Sequence, residues 1–159
     1  MRYGNGALIW AMKRSWAALG LVLALSAIMP TVSGAQDTRK KAGGATLGQN
    51  YPNPFNPETR FNFSVGDAPT CPEPAKQHRV TIKIYNVLAQ LVAIPVLQGG
   101  SGGVAGGQPL ENVLLSCGEY VAYWDGKVRN TGREAASGVY LYRLEDNGVT
   151  LTQKMVSVK

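Results

Sequence analysis

The sequence predicts an all-β fold, an antiparallel sandwich of two sheets, preceded by a cleavable signal peptide. Two observations predict the sandwich: large apolar residues recur with period two in several short runs, and Gly, Pro and Asn-Gly separate those runs. A third sets the signal apart. The only long apolar stretch lies near the amino end, and no segment beyond it carries a helical stripe.

That stretch runs from Trp16 to Met29, behind Lys13 and Arg14 and ahead of Pro30. Ser33 and Ala35 follow in the small-residue positions of a cleavage site, so residues 1–35 form a charged region, an apolar region and a processing site. At 14 residues the run is short for a membrane span, which needs about 18 to 20. Met12 directly before Lys13 gives the most compact signal, so translation is expected to start there and the exported chain to begin at Gln36. Removing residues 1–35 takes three basic and no acidic side chains, which leaves a net charge of +3. The remaining basic residues are scattered apart from Arg39, Lys40 and Lys41, with no basic stripe interleaved with aromatics, so no nucleic-acid partner is expected.

Residues 36–46 are charged and then Gly-rich, and are expected to form a flexible linker. The folded domain is expected over residues 47–159. Phe61, Phe63 and Val65 alternate with polar residues, and Val80, Ile82 and Ile84 do the same, which marks two half-buried strands. A third runs from Leu91 to Leu97, where Pro95 cannot donate to a ladder and so confines the strand to an edge or a bulge. A fourth covers Glu119–Trp124 and ends in the turn Trp124-Asp125-Gly126. The last two, Val139–Glu145 and Val149–Val158, are joined by Asn147-Gly148, the pair that best accepts positive φ in a tight hairpin. Two loops are long: Gly66–Arg79 with three prolines, and Gln98–Pro109 with six glycines.

Cys71 and Cys117 are the only cysteines, and an even count in an exported chain favours one disulfide between them. On the chain-entropy model such a bridge is worth at most about 4 kcal/mol.

No catalytic, cofactor or metal site is expected. His78 is the only histidine and reads as an exposed residue at the end of the Pro-rich loop, without the neighbours a triad or a zinc site needs. Glu145 and Asp146 are adjacent in a hairpin, so they point to opposite faces and cannot flank one bond. Residues 99–107 lack the Lys-Ser/Thr ending of a phosphate loop. Asp125, Asn130 and Glu134 lack the dense spacing of a calcium loop. The sequon Asn62-Phe63-Ser64 lies inside a strand and reads as sheet surface.

The most unusual segment is Leu47-Gly48-Gln49-Asn50-Tyr51-Pro52-Asn53-Pro54-Phe55-Asn56-Pro57. Its prolines force a kinked, extended path and its asparagines can bond backbone groups that no ladder satisfies. It reads as a rigid entry that plugs one end of the sandwich, with Tyr51 and Phe55 as apolar anchors, and that blocks edge pairing.

This segment resembles the opening motif of the C-terminal sorting domain of type IX secretion cargo, and the resemblance continues in order along the chain. Val80–Asn86 matches next, then Trp124-Asp125-Gly126, then Ala136-Ser137-Gly138-Val139-Tyr140 through Leu144, and finally Lys154-Met155-Val156-Ser157-Val158-Lys159. The match spans residues 47–159. It implies an immunoglobulin-like antiparallel β-sandwich of about six or seven strands, a fold shared with a domain of the flagellar hook-capping protein. Where the family has glycine in its Asn-x-x-Gly turn, this chain has Ala89, which argues for a turn that avoids positive φ.

The resemblance also implies a role. A sorting domain is non-catalytic, reaches the periplasm by the general secretory pathway, and is read by the type IX machinery in the outer membrane on its way to the cell surface. Recognition is expected to use the last strand with Lys154, Met155, Val156, Val158 and Lys159. Sorting domains normally trail a large cargo, whereas here a signal and a short linker precede the domain. The alternative is a stand-alone immunoglobulin-like structural or adhesive module of the envelope or of an extracellular assembly, associating with copies of itself through an exposed edge strand.

Overall fold

The computed structural model describes residues 39–100 and 105–159. The expected signal peptide, residues 36–38 of the expected linker and residues 101–104 of the Gly-rich loop lie outside the described residues. Among the described residues ten strands occur in chain order: β1 (Lys40–Ala42), β2 (Ala45–Tyr51), β3 (Thr59–Val65), β4 (His78–Asn86), β5 (Leu91–Ala93), β6 (Val96–Leu97), β7 (Val113–Leu115), β8 (Gly118–Trp124), β9 (Gly138–Asp146) and β10 (Val149–Ser157). They form two antiparallel sheets of five strands each. The first has the order β1-β2-β3-β8-β6; the second has the order β10-β9-β4-β5, with β7 also paired to β4.

The alternation read from the sequence is what closes the sandwich. Phe61 and Val65 of β3 face Val80, Ile82 and Ile84 of β4 and Tyr142 and Leu144 of β9, and all are fully buried. Burying each such side chain contributes about 1.5–3 kcal/mol, and together they set the separation of the sheets. Phe61 stacks on Tyr142 of the opposite sheet with ring centroids 4.7 Å apart. Tyr142 has a polar tip that needs a partner in this dry layer, and its hydroxyl donates to the Gly48 carbonyl at 2.7 Å. Gly48 lies where the β2–β3 register shifts between Leu47 and Asn50, so the bulge presents that carbonyl inward.

Pro95 decides where the chain changes sheets. The expected single strand from Leu91 to Leu97 is two short ones, β5 pairing with β4 in the second sheet and β6 pairing with β8 in the first. Both are edge strands, the place a proline is tolerated. The Asn147-Gly148 hairpin forms as expected: both residues have positive φ and Val149 pairs directly with Asp146. The disulfide joins Cys71 to Cys117 with Cα atoms 5.6 Å apart, tying the Pro-rich loop to the residue that precedes β8.

Three expectations are corrected. Strand structure begins at Lys40 rather than after residue 46, because Ala45 and Leu47 are buried and β1 pairs with β2 through the Gly43-Gly44 turn. His78 is not an exposed loop residue: it opens β4, is 4% exposed, and its Nδ1 lies 3.0 Å from both carboxylate oxygens of Asp146. The turn after β4 does not avoid positive φ either, since Ala89 has φ +59°. Asn86 imposes this. Its Oδ1 accepts from the amides of Leu88 and Gln90 at 3.0 Å each, and its carbonyl accepts from Ala89 at 3.0 Å.

Two outcomes follow. Ala89→Gly relieves a left-handed conformation that costs an L-residue about 1–2 kcal/mol, so it should stabilise the domain by about 0.5–1 kcal/mol in a denaturant titration even after the added chain entropy. Burial pushes the Tyr142 phenol well above its ordinary pKa, opposed in part by a backbone hydrogen bond from Asn50. The folded state therefore holds that proton more tightly than the unfolded chain, so its stabilising contribution is complete below about pH 10 and is lost as pH rises beyond it. Tyr142→Phe should lower stability by about 1–3 kcal/mol at neutral pH and flatten the loss of melting temperature between about pH 9 and 11.

Candidate functional site: the end of the sandwich around Phe55

The outer edge of β10 is the place where the unusual segment meets the rest of the chain. An edge strand leaves a row of backbone donors and acceptors without partners, and residues 49–56 satisfy several of them. Gln49 Nε2 donates to the Lys154 carbonyl at 2.8 Å, and Asn53 Oδ1 accepts from the Val156 amide at 3.0 Å. The Phe55 amide donates to the Val156 carbonyl at 2.9 Å, and the Phe55 carbonyl accepts from the Val158 amide at 3.0 Å. Phe55 thus forms a short parallel bridge beside Ser157, and together with Gln49 and Asn53 it covers the edge from Lys154 to Val158.

The prolines make this path rigid, and the peptide bonds preceding Pro52, Pro54 and Pro57 are cis. Asn50 is buried, and its Nδ2 donates to the Pro52 carbonyl at 2.9 Å and to Thr59 Oγ1 at 3.0 Å, which holds the start of the kink onto β3. Tyr51, Pro52, Asn53, Pro54, Asn56 and Pro57 are exposed. Tyr51 was expected to anchor the plug beside Phe55, but it is 82% exposed whereas Phe55 is 1% exposed. The two residues lie four apart, which would put them on one face in an ideal strand. The intervening prolines break that periodicity, so only one side chain turns inward.

Three other blocks close around Phe55. Its ring lies 5.3 Å from that of Trp124, and Trp124 lies 5.8 Å from Tyr140 in an edge contact. The Trp124 indole donates to the Lys127 carbonyl at 2.9 Å, folding the Trp124-Asp125-Gly126 turn back on itself, while Asp125 Oδ1 accepts from the Lys127 amide at 3.0 Å. Gly126 permits the close approach: a Cβ there would fall 2.0 Å from the Pro57 carbonyl oxygen, and its φ is +76°. The Tyr140 hydroxyl donates to the Ala136 carbonyl at 2.9 Å, which pins the exposed Ser137-Gly138 turn. Burial raises the Tyr140 phenol above its ordinary pKa.

The last residues divide by burial. Met155 is fully buried and Ser157 nearly so, and they complete the core. Lys154 and Lys159 are exposed, Val158 is 43% exposed, and the Lys159 ammonium lies 3.4 Å from a Glu134 carboxylate oxygen. The outward face of this end is therefore built by Lys154, Val158 and Lys159 beside Tyr51, Asn53 and Pro54. Among the described residues, no group of three or more His, Cys, Asp or Glu side chains is placed to hold a metal ion.

Sequence reasoning missed His78 and Asp146 as neighbours. Parity carried the signal: His78 has the same register as Val80, Ile82 and Ile84, and Asp146 the same as Tyr140, Tyr142 and Leu144, so both point inward.

The burial contrast at the plug is measurable. Phe55→Ala should destabilise the domain by about 3–5 kcal/mol in urea unfolding, whereas Tyr51→Ala should stay within about 0.5 kcal/mol of the parent. No family model, curated protein or solved structure matches this chain.

Proposed function

We propose that this chain is a non-catalytic sorting domain, exported by the general secretory pathway and carried across the outer membrane to the cell surface by type IX machinery. The observation that carries the reading is convergence. Four of the sequence blocks that resemble the sorting family, Asn50–Pro57, Trp124–Gly126, Ala136–Tyr140 and Lys154–Lys159, meet around the single side chain of Phe55. A segment read by a translocation apparatus must be presented on a rigid support. Lys154, Val158 and Lys159 are exposed on a strand whose edge is already covered, so side chains rather than free backbone groups are offered to a receptor.

A second reading rests on a different observation. Leu141 pairs with Tyr85 and Tyr85 with Leu91 across the outer face of the second sheet, where Leu141 and Leu91 are 37% and 39% exposed. An apolar row of this kind also suits a structural or adhesive module that assembles through its surface.

Residues 36–159, which keep β1 and the whole of β2, fused behind an exported reporter in a bacterium with a working type IX system, test the first reading. Removing only Val158 and Lys159 leaves Met155 and Ser157 in the core, so the shortened domain should still fold, which its circular dichroism checks. The sorting role expects the intact fusion outside the outer membrane and the shortened one in the periplasm. Retention of both folded fusions in the periplasm rejects sorting and favours the module.

A further inference from the structure

The end of the molecule that carries the disulfide holds a buried group that neither packing nor the sorting role uses. His78 is 4% exposed and Asp146 is 2% exposed, and Nδ1 lies 3.0 Å from each carboxylate oxygen. A carboxylate can only accept, so Nδ1 is the donor of this pair and Nε2 is the ring nitrogen left facing away from Asp146. That nitrogen is buried and has no hydrogen-bond partner. An imidazole nitrogen shut away from water without a partner is costly, so its neighbourhood matters.

Its neighbour is the disulfide. A methyl group placed on Gly66 would stand 3.0 Å from His78 Nε2 and 2.9 Å from Cys117 Sγ. The two atoms flank one small space and lie less than about 6 Å apart. Cys71 Sγ is on the far side of the bridge, in a loop where Cys71 itself has φ +45°, and both cysteines are half-exposed. Small thiols can therefore reach the sulfurs from solvent, while the imidazole stands behind one of them. The nearby charges are Asp146 on β9, Asp67 just after β3, and Lys76 on the loop into β4. The Lys76 ammonium pairs with Glu73 at 3.0 Å and also feels Asp146 and Asp67.

We propose that Cys71, Cys117, His78 and Asp146 form a thiol–disulfide exchange site, in which Cys117 is the sulfur that leaves and returns and His78 is its proton carrier. The co-reactant is an external thiol. Its sulfur bonds to Cys71 Sγ as the Cys71–Cys117 bond breaks, and the bonding pair departs on Cys117 Sγ. The external thiol reacts as its thiolate after leaving its proton to solvent, and one proton is taken up from solvent through Nε2 onto Cys117 Sγ once the bridge is open. The products are a mixed disulfide on Cys71 and a thiol on Cys117, so the external sulfur is oxidised and Cys117 reduced. In the reverse direction Nε2 takes the Cys117 proton, the thiolate attacks the mixed disulfide at Cys71, and the external thiol is released. Asp146 acts through His78 and is a positioning residue.

The test is asymmetry between the two cysteines. In Cys71→Ser the remaining Cys117 faces His78; in Cys117→Ser the remaining Cys71 does not. At neutral pH an ordinary thiol is only a few per cent ionised, so the site predicts that iodoacetamide alkylates Cys117 about tenfold faster than Cys71. Adding His78→Gln to Cys71→Ser should bring the rate down to that of Cys71, with circular dichroism confirming the fold. Should the double variant not fold, the ultraviolet absorbance of the thiolate supplies the same comparison, present in Cys71→Ser and absent in Cys117→Ser. With the unaltered protein, reduced glutathione should be trapped on Cys71 rather than on Cys117. Equal alkylation rates for the two cysteines overturn the proposal, as does a Cys117 rate that His78→Gln leaves unchanged. Either result means that the Cys117 thiol is held by the Gly66 carbonyl, 3.0 Å from Sγ, or by no group at all.

Discussion

The rest of the molecule depends on how one phenylalanine closes the edge of the last strand. A sandwich made of open sheets has edges, and at each one backbone groups need partners other than water if the core beside them is to stay dry. At β10 the chain meets this need locally. Phe55 gives both its amide and its carbonyl to Val156 and Val158, and its ring fills the space before Trp124. The same residue thus ties the β2–β3 connection of the first sheet onto the last strand of the second. Met155 and Tyr140 remain enclosed because that lid is in place.

The opposite end is closed by other means. There a covalent bridge from Cys71 to Cys117 and a buried pair of His78 and Asp146 stand beside the Phe63–Tyr120 stack. The difference in chemistry gives the two ends different potential. The Phe55 end is apolar within and exposes Lys154 and Lys159, which suits recognition by a partner. The disulfide end encloses an oriented imidazole beside a sulfur, which suits proton movement coupled to exchange. Between them, the Phe61–Tyr142 stack and the Tyr142–Gly48 hydrogen bond hold the sheets in register.

The sequence by itself determined the fold class and the inward residues of the main strands. Period-two alternation depends only on the pleat, so Phe61, Phe63, Val65, Val80, Ile82 and Ile84 could be placed inside without knowing which strand pairs with which. Asn147-Gly148 needed only local φ preferences, and the pairing of Cys71 with Cys117 needed only a count of two. Tertiary structure alone decided what depends on distant partners. Tyr51 faces water and Phe55 does not, because Pro52 and Pro54 break the alternation between them. Residues 40–42 and 45–46 form strands despite a Gly-rich, charged composition, because β3 offers β2 an edge and Ala45 and Leu47 have a core to enter. Ala89 takes positive φ because Asn86 bonds around the turn more strongly than one Cβ resists it. His78 and Asp146 are separated by 68 residues, so their meeting is a product of β4 pairing with β9, a register no local pattern encodes.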